Sequence, residues 1–106
     1  MPKYLLQVSY TAEGLRGLQK DGASARLKVA SQVTEAVGGK VEAMYFAFGE
    51  HDIVAIVDVP SPVDIAAIAF TSSASGMLRT VTTPLLSVAE ADEALKKKLP
   101  WRAPGG

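Results

Sequence analysis

Cysteine is absent and histidine occurs once, which excludes a disulfide framework and a thiolate metal site. His51 has no second His or Cys at a familiar ligand spacing, so no metal and no cofactor is expected. An excess of one charge sign is also missing. Lys plus Arg and Asp plus Glu both number 11, so no net field draws the chain to nucleic acid, an anionic membrane or acidic partners. The most apolar stretch, Ile53 to Phe70, is broken by Asp58, Pro60, Pro62 and Asp64 and cannot serve as a membrane-spanning helix. The first residues lack the basic start, apolar core and cleavage site of a signal peptide, and the expected location is the cytoplasm. No phosphate-cradling glycine loop, serine elbow or paired-carboxylate motif occurs.

What is present is apolar. Hydrophobic residues make up 48% of 106 positions, enough for the core of one domain, expected over 1–99 with a mobile tail over 100–106. The stretch Lys40 to Pro60 holds two β-rich runs, Val41 to Phe48 and Ile53 to Val59, around Gly49-Glu50-His51-Asp52. This reads as a hairpin with Gly49 at φ > 0. Unbroken alternation places Val41, Ala43, Tyr45 and Ala47 on one face of the first strand and Met44, Phe46 and Phe48 on the other. Both strands are apolar on both sides and need cover on each.

Elsewhere, Lys3 to Tyr10 reads as a strand with Tyr4, Leu6, Val8 and Tyr10 on one face. Thr11 is a candidate N-cap for helical sequence that stumbles at Asp21-Gly22 and stops at Gly38-Gly39. Its later part carries an apolar stripe of Leu27, Ala30, Val33 and Val37, with Arg26, Lys28, Gln32 and Glu35 largely off it. Ser61-Pro62-Val63-Asp64 opens a second helix, which Gly76 ends. Met77 to Val88 forms the last strand, with Pro84 confining it to an edge or a bulge. Ser87 and Glu90 cap a short final helix bearing Asp92-Lys96 and Glu93-Lys97 pairs.

The order β-α-β-β-α-β plus a terminal helix is the α+β, ferredoxin-like arrangement, an antiparallel four-stranded sheet with helices on one face. The run Phe48-Gly49-Glu50-His51-Asp52-Ile53-Val54 resembles the signature of the GYD domain family, with His51 where the family usually carries tyrosine. The similarity extends over roughly residues 3 to 92, including Tyr10 to Gly17, Gly38-Gly39-Lys40, Ser73 to Gly76, Arg79 and Thr82. The resemblance implies a dimeric α/β-barrel type of fold and assigns little chemistry.

Four residues stand out as candidate ligand contacts. Tyr45 has small strand neighbours that leave room beside its ring, and Arg79 shares a strand face with Met77 and Val81, which calls for a carboxylate partner in a ligand, Asp58 or Glu42. His51 is the one side chain that ordinarily titrates near neutrality, and the adjacent Asp52 is suited to ordering the turn. Two function classes remain open. One is a module that binds a small apolar or aromatic ligand between sheet and helices, or that oligomerises. The other is a cofactor-poor oxygenase or isomerase acting on an aromatic or polyketide-like substrate. Two helices cover only one face of such a sheet, so a homodimer packed sheet to sheet is expected, with larger assemblies through strand edges or the terminal helix.

Overall fold

The computed structural model describes all of residues 1–106. Its elements are β1 (Lys3–Tyr10), α1 (Ala12–Asp21), α2 (Ala23–Ala36), β2 (Lys40–Phe46), β3 (Ile53–Asp58), α3 (Pro62–Ser73), β4 (Leu78–Leu85) and α4 (Val88–Leu95). The strands form one sheet in the order β2-β3-β1-β4, every neighbouring pair antiparallel. This is the ferredoxin-like α+β topology that the element order predicts.

Local chemistry sets the helix limits. The Thr11 hydroxyl accepts from the Gly14 amide, Ser61 accepts from Asp64 with Pro62 in the first turn, and Ser87 and Glu90 close a reciprocal capping box. Gly22, at φ 87°, separates α1 from α2 as the stumble at Asp21-Gly22 anticipates. Pro84 sits on β4, an edge strand, where its missing N–H does not break the sheet.

β2 departs from unbroken alternation. Val41 pairs with Val57 but Ala43 pairs with Ile56, so the register slips by one residue between them. A one-residue bulge reverses the facing of everything beyond it. Met44 consequently joins Val41 on the helix side, and Tyr45 pairs with Val54 on the other side, with Ala43 and Ile56. Phe46, paired with Ile53, turns toward the helices and not toward the uncovered face.

β1 sends Tyr4, Leu6, Val8 and Tyr10 to the helix side, as its alternation predicts. Tight packing is concentrated at one end of the sheet, where Tyr4, Val57, Val59 and Ile65 are buried against one another with Leu6, Val37, Val41 and Ile68 around them. Two glycines permit close backbone approach. A Cβ at Gly14 would collide with the Met77 carbonyl, which also accepts from the Thr11 amide, and a Cβ at Gly39 would collide with the Asp58 carbonyl. Gly14 pins the start of α1 to the entry of β4, and Gly39 pins the end of α2 to β3.

Gly49 is different. Its φ is not positive and a Cβ there would meet nothing within 4 Å, so this turn does not need glycine. The connection from Ala47 to Asp52 is long enough to reverse the chain without a left-handed residue. The terminal helix also differs from expectation. No residue of α4 is buried, Val88 and Leu95 are 82% and 80% exposed, and the anticipated Asp92-Lys96 and Glu93-Lys97 pairs do not form. This arm lengthens the molecule to 56 Å and raises the radius of gyration to 16.8 Å, against roughly 13 Å for a compact chain of this size.

The two kinds of glycine give opposite expectations. Gly14→Ala is expected to destabilise by about 2 kcal/mol or more, because backbone must move to admit the methyl group. Gly49→Ala is expected to stay within about 0.5 kcal/mol of the parent. Urea unfolding of both variants checks this, and equal costs would contradict the close approach at Met77.

Candidate functional site

α2 packs over β2 and α3 over β4, so the helices stand above opposite edges of the sheet. Between them the central strands β1 and β3 form the floor of a cavity of about 120 Å³. Leu6, Val8, Ile53 and Ala55 line the floor, Val29 and Val33 face it from α2, and Ile68 from α3. Val29, Ala30 and Val33 of α2 reach inward with short side chains and the floor beneath includes alanine, so helix and sheet do not close on each other here. Thirteen of the 17 lining residues are hydrophobic, as in sites that take apolar molecules.

Among the polar groups in the lining, the Thr80 hydroxyl on β4 makes no hydrogen bond to the protein and is not fully shielded, and the others fall into two kinds. The Thr34 hydroxyl donates to the Ala30 carbonyl at 2.7 Å and the Ser72 hydroxyl to the Ile68 carbonyl at 2.8 Å, so both are satisfied within their own helices. Tyr10 Oη and Arg26 Nε are shielded from solvent and pair with no protein group. No carboxylate lies within ion-pairing distance of Arg26, since both salt bridges in the chain belong to Lys3. Tyr10 is the last residue of β1 and Arg26 lies in the first turn of α2, whose far end is anchored where β1 begins. Both groups therefore sit at the same end of the cavity, away from the tightly packed core. Unpaired buried polar atoms are rare and costly, and both of those in the chain belong to residues of this lining.

Neither residue was singled out by sequence as a contact. The signal for Arg26 lay in its spacing, since positions 26, 30, 33 and 37 share one helical face with the apolar stripe. Tyr10 was placed on the correct strand face, but its lack of a partner is a property of the fold.

None of the four sequence-selected residues lines the cavity. Tyr45 is 71% exposed on the uncovered face of the sheet, where the bulge places it. Arg79, exposed on β4, is the register partner of Ser9, and Ser9 Oγ lies 3.1 Å from His51 Nδ1. The fold thus brings His51 and Arg79 to either side of Ser9 on the open face, with Tyr45 apart on the edge strand β2. Asp52 faces the backbone: its Oδ2 accepts from the Tyr10 amide at 2.8 Å and its own amide donates to the Val8 carbonyl at 2.7 Å. It ties the hairpin connection to the end of β1, and so fixes the backbone that carries the Tyr10 ring.

The carboxylates considered as partners for Arg79 are taken by Lys3. Lys3 Nζ donates to Asp58 Oδ1 at 2.7 Å and to Glu42 Oε2 at 2.9 Å. The hydrogen bond from Lys3 holds the Asp58 carboxyl below its ordinary value of 3.8, although the Asp58 side chain is only 6% exposed and burial opposes the shift. Hydrogen bonding to Asp58 and then to Glu42 raises the Lys3 ammonium above its ordinary value of 10.5.

A family model described as GYD domain matches residues 4–95, which takes in every strand and helix of the fold except Lys3, the first residue of β1. No curated protein and no solved structure matches the chain.

A depressed carboxylate stabilises the fold fully above its unfolded value, and that contribution disappears as pH falls through the folded value. The difference in melting temperature between the parent and Asp58→Asn is therefore expected to be largest at neutral pH and to narrow as pH drops below 3.8. Thermal melts from neutral to strongly acid pH measure this, and a constant difference would contradict the ion pair.

Proposed function

We propose that this chain, which belongs to the GYD domain family, is a small-molecule-binding module that holds an apolar or aromatic ligand between the sheet and helices α2 and α3. The carrying observation is the hydrophobic cavity over β1 and β3, open enough for entry and lined by side chains already fixed by secondary structure. The competing reading, a cofactor-poor oxygenase or isomerase, would draw on a residue that titrates near neutrality beside the substrate. The single histidine lies across the sheet from the cavity, hydrogen-bonded to Ser9, which favours binding over catalysis.

The module acts as a homodimer of the α/β-barrel type, packed through the sheet face that its own helices leave open. Support comes from the apolar residues there: Leu5, Val54 and Ile56 are shielded only by their neighbours in the sheet, while Tyr45 and Val81 are exposed. Contiguous apolar surface of this kind favours association, and two-fold pairing is its simplest closed form. Tyr45, His51 and Arg79 then belong to the subunit interface, and the exposed arm from Leu86 onward is available for larger assemblies. A cytoplasmic location fits a chain without cysteine. No helix of the structure is long and apolar enough to cross a membrane.

Two outcomes test these proposals. Titration with toluene is expected to give saturable shifts of the Val8, Val33 and Ile68 methyl resonances that Ala30→Phe, which fills the space, abolishes. Unmoved methyl signals at saturating toluene would overturn the binding reading. For assembly, sedimentation equilibrium at micromolar concentration is expected to show twice the 11.1 kDa protomer mass, and Ile56→Asp is expected to reduce it to one protomer. A parent chain that sediments at 11.1 kDa would end the dimer proposal.

A further inference from the structure

We infer that the cavity ligand is a small apolar monocarboxylate, its carboxylate held by the Arg26 guanidinium and the Tyr10 hydroxyl and its ring or chain lying over Val8, Ala55 and Ile68. This rests on the cavity being a ligand site and adds the chemical class. Arginine stays protonated in proteins, and Arg26 lines the cavity with a shielded, unpaired Nε–H and no carboxylate of the chain within ion-pairing distance. A cationic ligand is repelled there, and a neutral one offers the guanidinium no counter-charge. An anion supplies the missing partner.

The identity of the anion follows from the remaining polar groups. Tyr10 Oη is the second orphan at this end of the cavity, and it can donate to the same acceptor. A carboxylate offers two oxygens with about four acceptor positions and matches the planar guanidinium fork. A phosphate would turn further charged oxygens toward valine and isoleucine, because Thr34 and Ser72 already donate to their own helices and the Thr80 hydroxyl is the one other free donor in the lining. Size limits the rest of the molecule. A space of about 120 Å³ is somewhat smaller than the roughly 150 Å³ cavity known to admit benzene, so the ligand is limited to a short chain or a single ring that extends in part into the open mouth.

The test uses the full chain, with benzoate as the acid and benzyl alcohol as a neutral molecule of similar shape, followed by methyl resonances of Val8 and Ile68. Benzoate is expected to bind about tenfold or more tightly than benzyl alcohol, as charge-assisted pairing implies. Arg26→Met is expected to erase that preference while leaving benzyl alcohol affinity within about threefold. Tyr10→Phe supplies a second, fold-safe variant: it is expected to weaken benzoate several-fold yet raise the melting temperature of the ligand-free protein, because it removes an unpaired hydroxyl. Equal affinity for the two probes, unchanged by Arg26→Met and Tyr10→Phe, would overturn the carboxylate assignment and leave the cavity as a neutral apolar site. Benzoate shifts confined to the surface lysines would overturn it equally. Failure of both probes to move the cavity methyls would overturn the binding reading as well.

Discussion

A sheet whose strands are apolar on both faces has to be covered twice, and this chain covers it once. The central strands show the demand most clearly. β3 alternates Ile53, Ala55 and Val57 toward the helices with Val54 and Ile56 away from them, so neither side is suited to water. Everything distinctive about the molecule follows from how the two faces are met. One face receives helices that stop short of full contact, and the other is left to the proposed second subunit.

The incomplete contact on the helix side has a mechanical origin. Gly14 holds the start of α1 against Met77 and Gly39 holds the end of α2 against Asp58, so the helical segment is fixed at both extremities. Its middle reaches inward with Val29, Ala30 and Val33 toward a floor that includes Ala55. Those side chains are too short to fill the separation that the anchors impose. Interiors are normally packed to crystal-like density, so a persistent hollow between well-anchored elements is a feature of the backbone as much as of the residues lining it.

Sequence disclosed the parts of this arrangement that depend on neighbours in the chain. Caps at Thr11, Ser61 and Ser87 are decided within four residues, as is the break at Gly22, and each was legible. The bulge in β2 was not, because a slip in register exists only relative to β3, and it moved Tyr45 from the expected pocket to the open face. Gly49 misled for a related reason. A glycine between two strands has the composition of a tight turn, whereas the actual connection is long enough to reverse without left-handed backbone. Lys3 was likewise unremarkable until the sheet brought it to Asp58 and Glu42, 55 and 39 residues away. The orphaned atoms of Tyr10 and Arg26 form the limiting case, since a missing partner cannot be seen in any local window.

β1 joins the two halves of the problem. Its alternation interleaves the two surfaces residue by residue, with Leu6, Val8 and Tyr10 toward the cavity and Leu5, Gln7 and Ser9 toward the open face. At its end the interleaving becomes a physical link. Asp52 grips the Tyr10 amide, and the neighbouring His51 reaches Ser9 on the opposite face. The position of the Tyr10 ring and the shape of the open face near Ser9 therefore depend on the same hairpin connection. Coupling between surfaces requires a shared element with a definite arrangement, and here that element is three residues of strand held by one loop. A short side chain in the strand could be exchanged without disturbing either surface, but the Asp52 carboxylate could not, because it satisfies a backbone donor that both surfaces rely on.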